Sequence, residues 1–156
     1  MSLIGIISDT HGKLRATAAD SLKGVDAIIH AGDVGGRQVL DKLKEIAPVF
    51  AVRGNMDGGS LRKSLPETEL VEIENTLIYV LHNRDLLDID PKASGISCVV
   101  YGHSHEPSFT KKDGVFYLNP GSAGPRRFSL PVTLSLVTIS GAGEYARFEP
   151  RFINLE

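Results

Sequence analysis

Leu3-Ile4-Gly5-Ile6-Ile7-Ser8-Asp9-Thr10-His11-Gly12 decides the fold. Residues 3–8 form a short isoleucine-rich run, which reads as a buried strand. The run ends abruptly on polar residues, as strands of open α/β sheets do where they meet a ligand. Working outward, alanines and leucines at helical spacing predict a helix over residues 13–23. A second apolar strand follows over 26–30. Val39, Leu40 and Leu43 predict an amphipathic helix within 35–45, and Pro48 opens a third strand over 48–52. This β-α-β-α-β order implies parallel strands joined by right-handed crossovers.

The second half changes character. Residues 69–73 and 76–81 are β-rich runs separated by Glu74-Asn75, a hairpin signal. Further strands are expected over 96–101, 108–111, 115–118, 132–139 and 145–152, with Gly or Pro between them. Residues 53–66 form the longest irregular stretch and read as a mobile loop. There is no repeat, linker or low-complexity tract, so residues 1–156 are expected to form one domain. A chain of 156 residues removes roughly 70% of its unfolded surface from water. A net charge of -2 argues against a general nucleic-acid surface. The lone cysteine, Cys98, lies in an apolar run; it excludes an internal disulfide and any CxxC site. No stretch approaches the ~18 apolar residues of a membrane span. The start lacks a basic leader region. The expectation is a soluble, cytoplasmic protein with no membrane partner, able to pair with a second copy through its β-rich surface.

The polar residues fall at the strand ends. Ser8-Asp9-Thr10-His11-Gly12 follows the first strand, His30-Ala31-Gly32-Asp33 the second, and Arg53-Gly54-Asn55-Met56-Asp57 the third. His82-Asn83-Arg84 follows the fifth strand candidate and Gly102-His103-Ser104-His105 the sixth. Four of the five histidines (His11, His82, His103 and His105) sit there. Imidazole, carboxylate and amide oxygen are all ligands of divalent metals. On an extended segment the two-residue spacing of Asp9/His11 and His103/His105 puts both side chains on one face. The candidates are too many for one tetrahedral ion and suit two ions ~3.5–4 Å apart. With no thiolate in the set, manganese, iron, zinc, cobalt and nickel all remain open, and manganese is the first choice.

In chain order these motifs resemble the signature of the calcineurin-like metallophosphoesterase superfamily: D-x-H, G-D, G-N-x-D, H, G-H-x-H. Length and the Asn119-Pro120-Gly121-Ser122 segment, with Pro125-Arg126, resemble its small prokaryotic branch of YfcE-type phosphodiesterases. The resemblance implies a mixed α/β fold, a four-layer α-β-β-α sandwich of two mixed sheets flanked by helices. It implies one metal on Asp9, His11, Asp33 and His105, and a second on Asp33, Asn55, His82 and His103, with Asp33 bridging. A bridging hydroxide would attack the phosphorus of a small phosphorylated substrate in line, most naturally a phosphodiester.

Two departures stand out. Many relatives carry a histidine at the position of Met56, placed to protonate the leaving group; methionine has no such proton. Asn83-Arg84 replaces a Gly-His pair, which leaves Arg84 as a candidate phosphate contact or a solvated charge. Arg126 is the candidate phosphate clamp. Asp57 is expected to orient Asn55 or a liganding histidine. His30 is expected to be a packed residue behind the ligands. The competing reading is a protein-interaction scaffold on the same fold, as in a retromer subunit of this superfamily. That subunit departs at ligand positions, whereas all seven are filled here.

Overall fold

The computed structural model describes residues 1–156. In chain order it comprises β1 (Ser2–Ile7), α1 (Ala16–Ser21), β2 (Ala27–His30), α2 (Arg37–Lys44), β3 (Val49–Ala51), α3 (Gly59–Ser64), β4 (Thr68–Ile73), β5 (Thr76–Leu81), β6 (Ile96–Val100), β7 (Ser108–Lys112), β8 (Val115–Asn119), β9 (Thr133–Ser140) and β10 (Arg147–Asn154). Two five-stranded sheets form, ordered β10-β9-β1-β2-β3 and β4-β5-β6-β8-β7. In the first, β1, β2 and β3 run parallel and β9 returns antiparallel against β1. In the second, β5, β6 and β8 are parallel, flanked by antiparallel hairpins with β4 and β7. The mixed two-sheet fold class expected from the sequence is the one observed.

Alternation within β1 explains the layering. Ile4 and Ile6 belong to an apolar cluster shared by both sheets, with Ile29, Ile78, Val80, Val100 and Leu118. Ile7 joins a second cluster that receives Leu22 beside α1 and Val39, Leu40 and Leu43 of α2. Gly5 leaves room for Leu22, whose side chain would collide with any Cβ there. The outer face of the second sheet is covered differently. Its cluster of Leu81, Val99, Tyr101 and Tyr117 packs against Leu87, which follows a short 3₁₀ turn, Arg84–Leu86. No helix is long and apolar enough to cross a membrane. Cys98 is fully buried, and burial pushes its thiol up.

Three expectations need correction. The first helix is shorter than 13–23, because Lys13 N–H turns back to the Thr10 carbonyl and Arg15 reaches the Gly124 carbonyl. Residues 53–66 are not irregular throughout: α3 lies within them and buries Leu61. Residues 143–145 form a 3₁₀ turn, so the last strand begins at Arg147.

Candidate metal centre

The loops after β1, β2, β3, β5 and β6 converge at one edge of the sandwich, where they bring together the polar residues marked in the sequence. The Asp9 N–H binds the Gly32 carbonyl and the His11 N–H binds the Asp33 carbonyl, both at 3.0 Å, so the first two loops continue side by side beyond their strands. The fourth and fifth are joined by Gly102 N–H to the His82 carbonyl at 2.9 Å. Close approach is needed at Gly102, where a Cβ would collide with Ser8 and the Asp9 carboxylate, and at Gly54, where it would strike Asp33.

The backbone departs from the extended form assumed for the two-residue spacings. Asp9, His11, Asp33, His103 and His105 all have positive φ, between 48° and 71°. Side chains two apart converge because the chain turns left-handedly at each, not because it runs as a strand. Such conformations cost about 1–3 kcal/mol each and persist where the surroundings enforce them.

Each carboxylate commits one oxygen to the scaffold and frees the other. Asp9 Oδ2 accepts from the Ser8 hydroxyl at 2.6 Å and the His103 N–H at 3.2 Å. Asp9 Oδ1 then faces Nε2 of His105 at 3.3 Å, of His82 at 3.8 Å and of His11 at 3.9 Å. Asp33 Oδ1 accepts from the Met56 N–H at 2.8 Å. Asp33 Oδ2 faces His82 Nε2 at 3.2 Å and His11 Nε2 at 3.8 Å. The ring of His82 is oriented from behind: its Nδ1–H donates to the Ala31 carbonyl at 2.7 Å, which turns Nε2 toward the carboxylates. His103 and Asn55 stand at the exposed rim, His103 Nδ1 lying 3.3 Å from Asn55 Oδ1.

The electrostatics favour a cation. Burial pushes the Asp9 carboxyl up, but His105, His82 and the Ser8 hydroxyl outweigh it and hold it below its ordinary value. Asp33 is lowered in the same way, with His82, the Met56 N–H and His11 outweighing burial. Burial lowers His82, but Asp33 and Asp9 prevail and its pKa is raised. All three shifts say that positive charge is stable at this point. Asp9 Oδ1, His11 Nε2 and His82 Nε2 are buried with no hydrogen-bond partner. Orphaned buried polar atoms cost about 1–3 kcal/mol each, and divalent ions held among these loops would satisfy them. Two groups meet the geometry of such a site: Asp9 with His11 and His105, and Asp9 with Asp33 and His82. The oxygen and nitrogen donor set fits borderline divalent metals.

Residues 2–142 match the calcineurin-like phosphoesterase superfamily domain. The chain belongs to the calcineurin-like phosphoesterase superfamily. It is 37% identical over 147 residues to a probable metallophosphoesterase of Methanocaldococcus jannaschii, covering 86% of this chain and 74% of that one. It is 27% identical over 154 residues to the phosphodiesterase YfcE of Escherichia coli, covering 83% and 84%. The fold is also that of Vps29 from Entamoeba histolytica, solved in complex with zinc, with a TM-score of 0.74, 22% identity and 99% of each chain covered. This member of the superfamily is a metal-dependent phosphoesterase.

In this phosphoesterase, the remaining candidates fall in four different places. The buried Asp57 touches neither Asn55 nor a histidine; its carboxylate accepts from the N–H groups of Val34, Gly35 and Gly54 at 3.1, 2.9 and 2.9 Å. It fixes the loops that carry Asp33 and Asn55, which makes it a positioning residue. Arg126 Nη1 bonds Glu156 Oε1 at 3.0 Å at the protein surface. Arg84 is half-buried: its guanidinium lies 4.1 Å over the Tyr117 ring and donates to the Tyr101 hydroxyl at 3.4 Å. Met56 is exposed, its side chain at the rim and its N–H on Asp33.

Sequence reasoning missed one support, Asn119, and placed another, His30, behind the ligands without its partners. Buried Asn119 donates to the Gly102 carbonyl and to Ser104 Oγ, both at 3.0 Å, and holds the His103–His105 loop. His30 accepts from the Gly32 N–H at Nδ1 and bonds Thr10 Oγ1 through Nε2 at 3.0 Å; Thr10 passes its own proton to the Val34 carbonyl at 2.8 Å. The Asn119-Pro120-Gly121-Ser122 segment and the strand-end position of His30 were the available signals, but neither spelled out a partner.

Proposed function

We propose that the chain hydrolyses phosphodiesters at a two-ion centre. One ion would be held by Asp9, His11, Asp33 and His105, the other by Asp33, Asn55, His82 and His103, with Asp33 shared. The observation that carries this reading is the pair of carboxylate–imidazole groups, Asp9 with His11 and His105 and Asp9 with Asp33 and His82, in which Asp9 Oδ1, His11 Nε2 and His82 Nε2 are buried without a partner. Asp33 Oδ2 supports the sharing, since it faces one histidine of each proposed set. Bound divalent ions supply a nucleophile by acidifying water and neutralise charge on the phosphoryl oxygens.

The chain's own residues do the rest. Ser8, His103 N–H and Met56 N–H aim the carboxylates, and the Ala31 carbonyl aims His82. Asn55 and His103, at the open rim, stand where the phosphate enters. Met56 offers no proton to the leaving group, so the substrates best served are those whose leaving group departs without one or draws it from water. Arg126 remains a candidate phosphate contact once it lets go of Glu156. Manganese is the ion to try first. The site belongs to a soluble, cytoplasmic protein of one domain on this reading.

The second reading, a scaffold of the same fold, draws on the likeness to Vps29 and on Met56. Against it stands the filling of all seven ligand positions. Chelator-stripped protein with bis(p-nitrophenyl) phosphate, with and without manganese, separates the two. Manganese-dependent turnover, lost in Asp33→Asn, is the expected result. Bound metal without turnover on this or other diesters would favour the scaffold, and failure to bind metal would overturn the centre itself.

A further inference from the structure

A cleft of about 300 Å³ opens beside the metal centre and shares Asn55 and His82 with it. Its other walls come from the segment that links the two sheets, with Arg53 just beyond β3 and Arg62 on α3, and from the end of β5 and the turn after it. The two arginines are not equivalent. Arg53 is engaged: Nη1 donates to the Leu65 carbonyl at 3.0 Å and Nη2 lies 3.7 Å from Glu67. The Arg62 guanidinium has no hydrogen-bond or ion-pair partner, and only its backbone N–H is bonded, to the Gly58 carbonyl. Its neighbour Leu61 is buried and seats the helix, so Arg62 is presented on a fixed turn. Glu67 is the one acid in the lining, set against two arginines, so the cleft keeps a surplus positive charge. Leu86, 64% exposed, adds an apolar ledge.

We infer that this cleft holds the part of the substrate that is not attacked, and that Arg62 binds a second phosphate there. The substrate class is then a phosphodiester that carries a further terminal phosphate, joined to the scissile one through a small apolar or sugar-like spacer lying on Leu86. This rests on the phosphodiesterase reading above. A guanidinium matches a phosphate through two parallel N–H···O bonds, which an ammonium cannot reproduce.

The test compares two chromogenic diesters with the manganese-loaded protein. One is the p-nitrophenyl ester of thymidine 5′-phosphate; the other is the same ester with an added 3′-phosphate. In both, a water oxygen bonds to phosphorus, the P–O bond to p-nitrophenolate breaks, and the water's protons pass to solvent. Charge-assisted bonds of this kind are worth about ten-fold or more in affinity. The 3′-phosphorylated ester is therefore expected to show a kcat/KM about ten-fold higher, carried by KM, and Arg62→Ala should bring the ratio of the two esters to about one. Arg62→Lys should restore only part of it. Calorimetric titration of thymidine 3′,5′-bisphosphate against thymidine 5′-phosphate reads the same preference without catalysis. Equal handling of the two esters and the two nucleotides by the wild type, or a preference that survives Arg62→Ala, overturns the inference. Absence of bis(p-nitrophenyl) phosphate turnover falls instead on the phosphodiesterase reading, and the calorimetry then decides the cleft.

Discussion

Asp9 and Asp33 solve the same problem at the residue scale: a carboxylate must be rigid and yet leave an oxygen free. Each ties one oxygen to neighbouring N–H or O–H donors and turns the other toward the imidazoles. His30 shows the converse economy. It is fully buried, its pKa lowered from 6.5 to about 4 by burial, which outweighs Asp9, Asp57 and Asp33. The folded protein keeps it neutral, as its acceptor bond from Gly32 N–H requires. The unfolded chain binds a proton there first as pH falls. His30 thus supports stability that is complete above pH 6.5 and is lost progressively down to about pH 4, where the loss reaches about 3 kcal/mol. Denaturant titrations in chelator across that window should show the loss in wild type and a fall smaller by about that amount in His30→Gln. Parallel curves would remove His30 as the titrating group. Met56 offers a second test at this scale. With an alkyl leaving group, turnover needs a proton that methionine cannot give, and general acids contribute about 10²–10⁴-fold. Met56→His should raise kcat on alkyl phosphodiesters about ten-fold or more and change p-nitrophenyl esters little. An equal effect on both classes would count against missing proton donation.

At the element scale, the site is made of loops held by side chains that are not ligands. Asp57 takes three backbone N–H groups from the loops after β2 and β3. Asp57→Ala would leave these donors unpaired at about 1–3 kcal/mol each. A loss of several kcal/mol in denaturant titrations is expected, with weaker manganese binding; Asp57→Asn, which keeps the acceptor oxygen, should lose less. If the alanine variant matched wild type in both measurements, the carboxylate would have no anchoring role. The elements differ in how legible they were. The β1–α1–β2–α2–β3 order could be read because isoleucine runs and the Val39/Leu40/Leu43 spacing are one-dimensional traces of burial. The helix α3 could not: Gly58-Gly59-Ser60 opens it, it spans six residues, and Leu61 is its only buried residue. Seven ligand candidates were legible because they stand at strand ends. Their left-handed backbone was not, because it is imposed by bonds between loops such as Asp9 N–H to Gly32. Arg84 shows the same limit, since its stacking on Tyr117 depends on a strand about thirty residues away.

At the scale of the whole molecule, the centre sits across the seam between the sheets. Asp9, His11, Asp33 and Asn55 extend strands of the first sheet; His82, His103 and His105 extend strands of the second. Metal binding would therefore link the sheets as well as fill a site, and its free energy should appear in global unfolding. An ion at one hundred times its Kd stabilises by about 2.7 kcal/mol, which for a chain of this size raises Tm by roughly 5–10 °C. Asp33→Asn separates this link from ordinary packing. The asparagine oxygen can keep the Met56 N–H bond, while the amide nitrogen can donate to His82 in place of the carboxylate's pull on a cation. It also removes one of two buried negative charges, Asp9 and Asp33, that both face His82 and His11. In chelator, Asp33→Asn should melt slightly below the wild type, because the folded protein holds the Asp33 carboxyl below its ordinary value and so favours its charge. In manganese, the wild type should rise with metal concentration and the variant should stay nearly still. The gap between the two proteins should therefore widen from chelator to manganese. A variant that melts far below wild type in chelator would make Asp33 a structural residue first. A wild-type Tm that ignores manganese would mean that whatever the loops bind does not couple the two sheets.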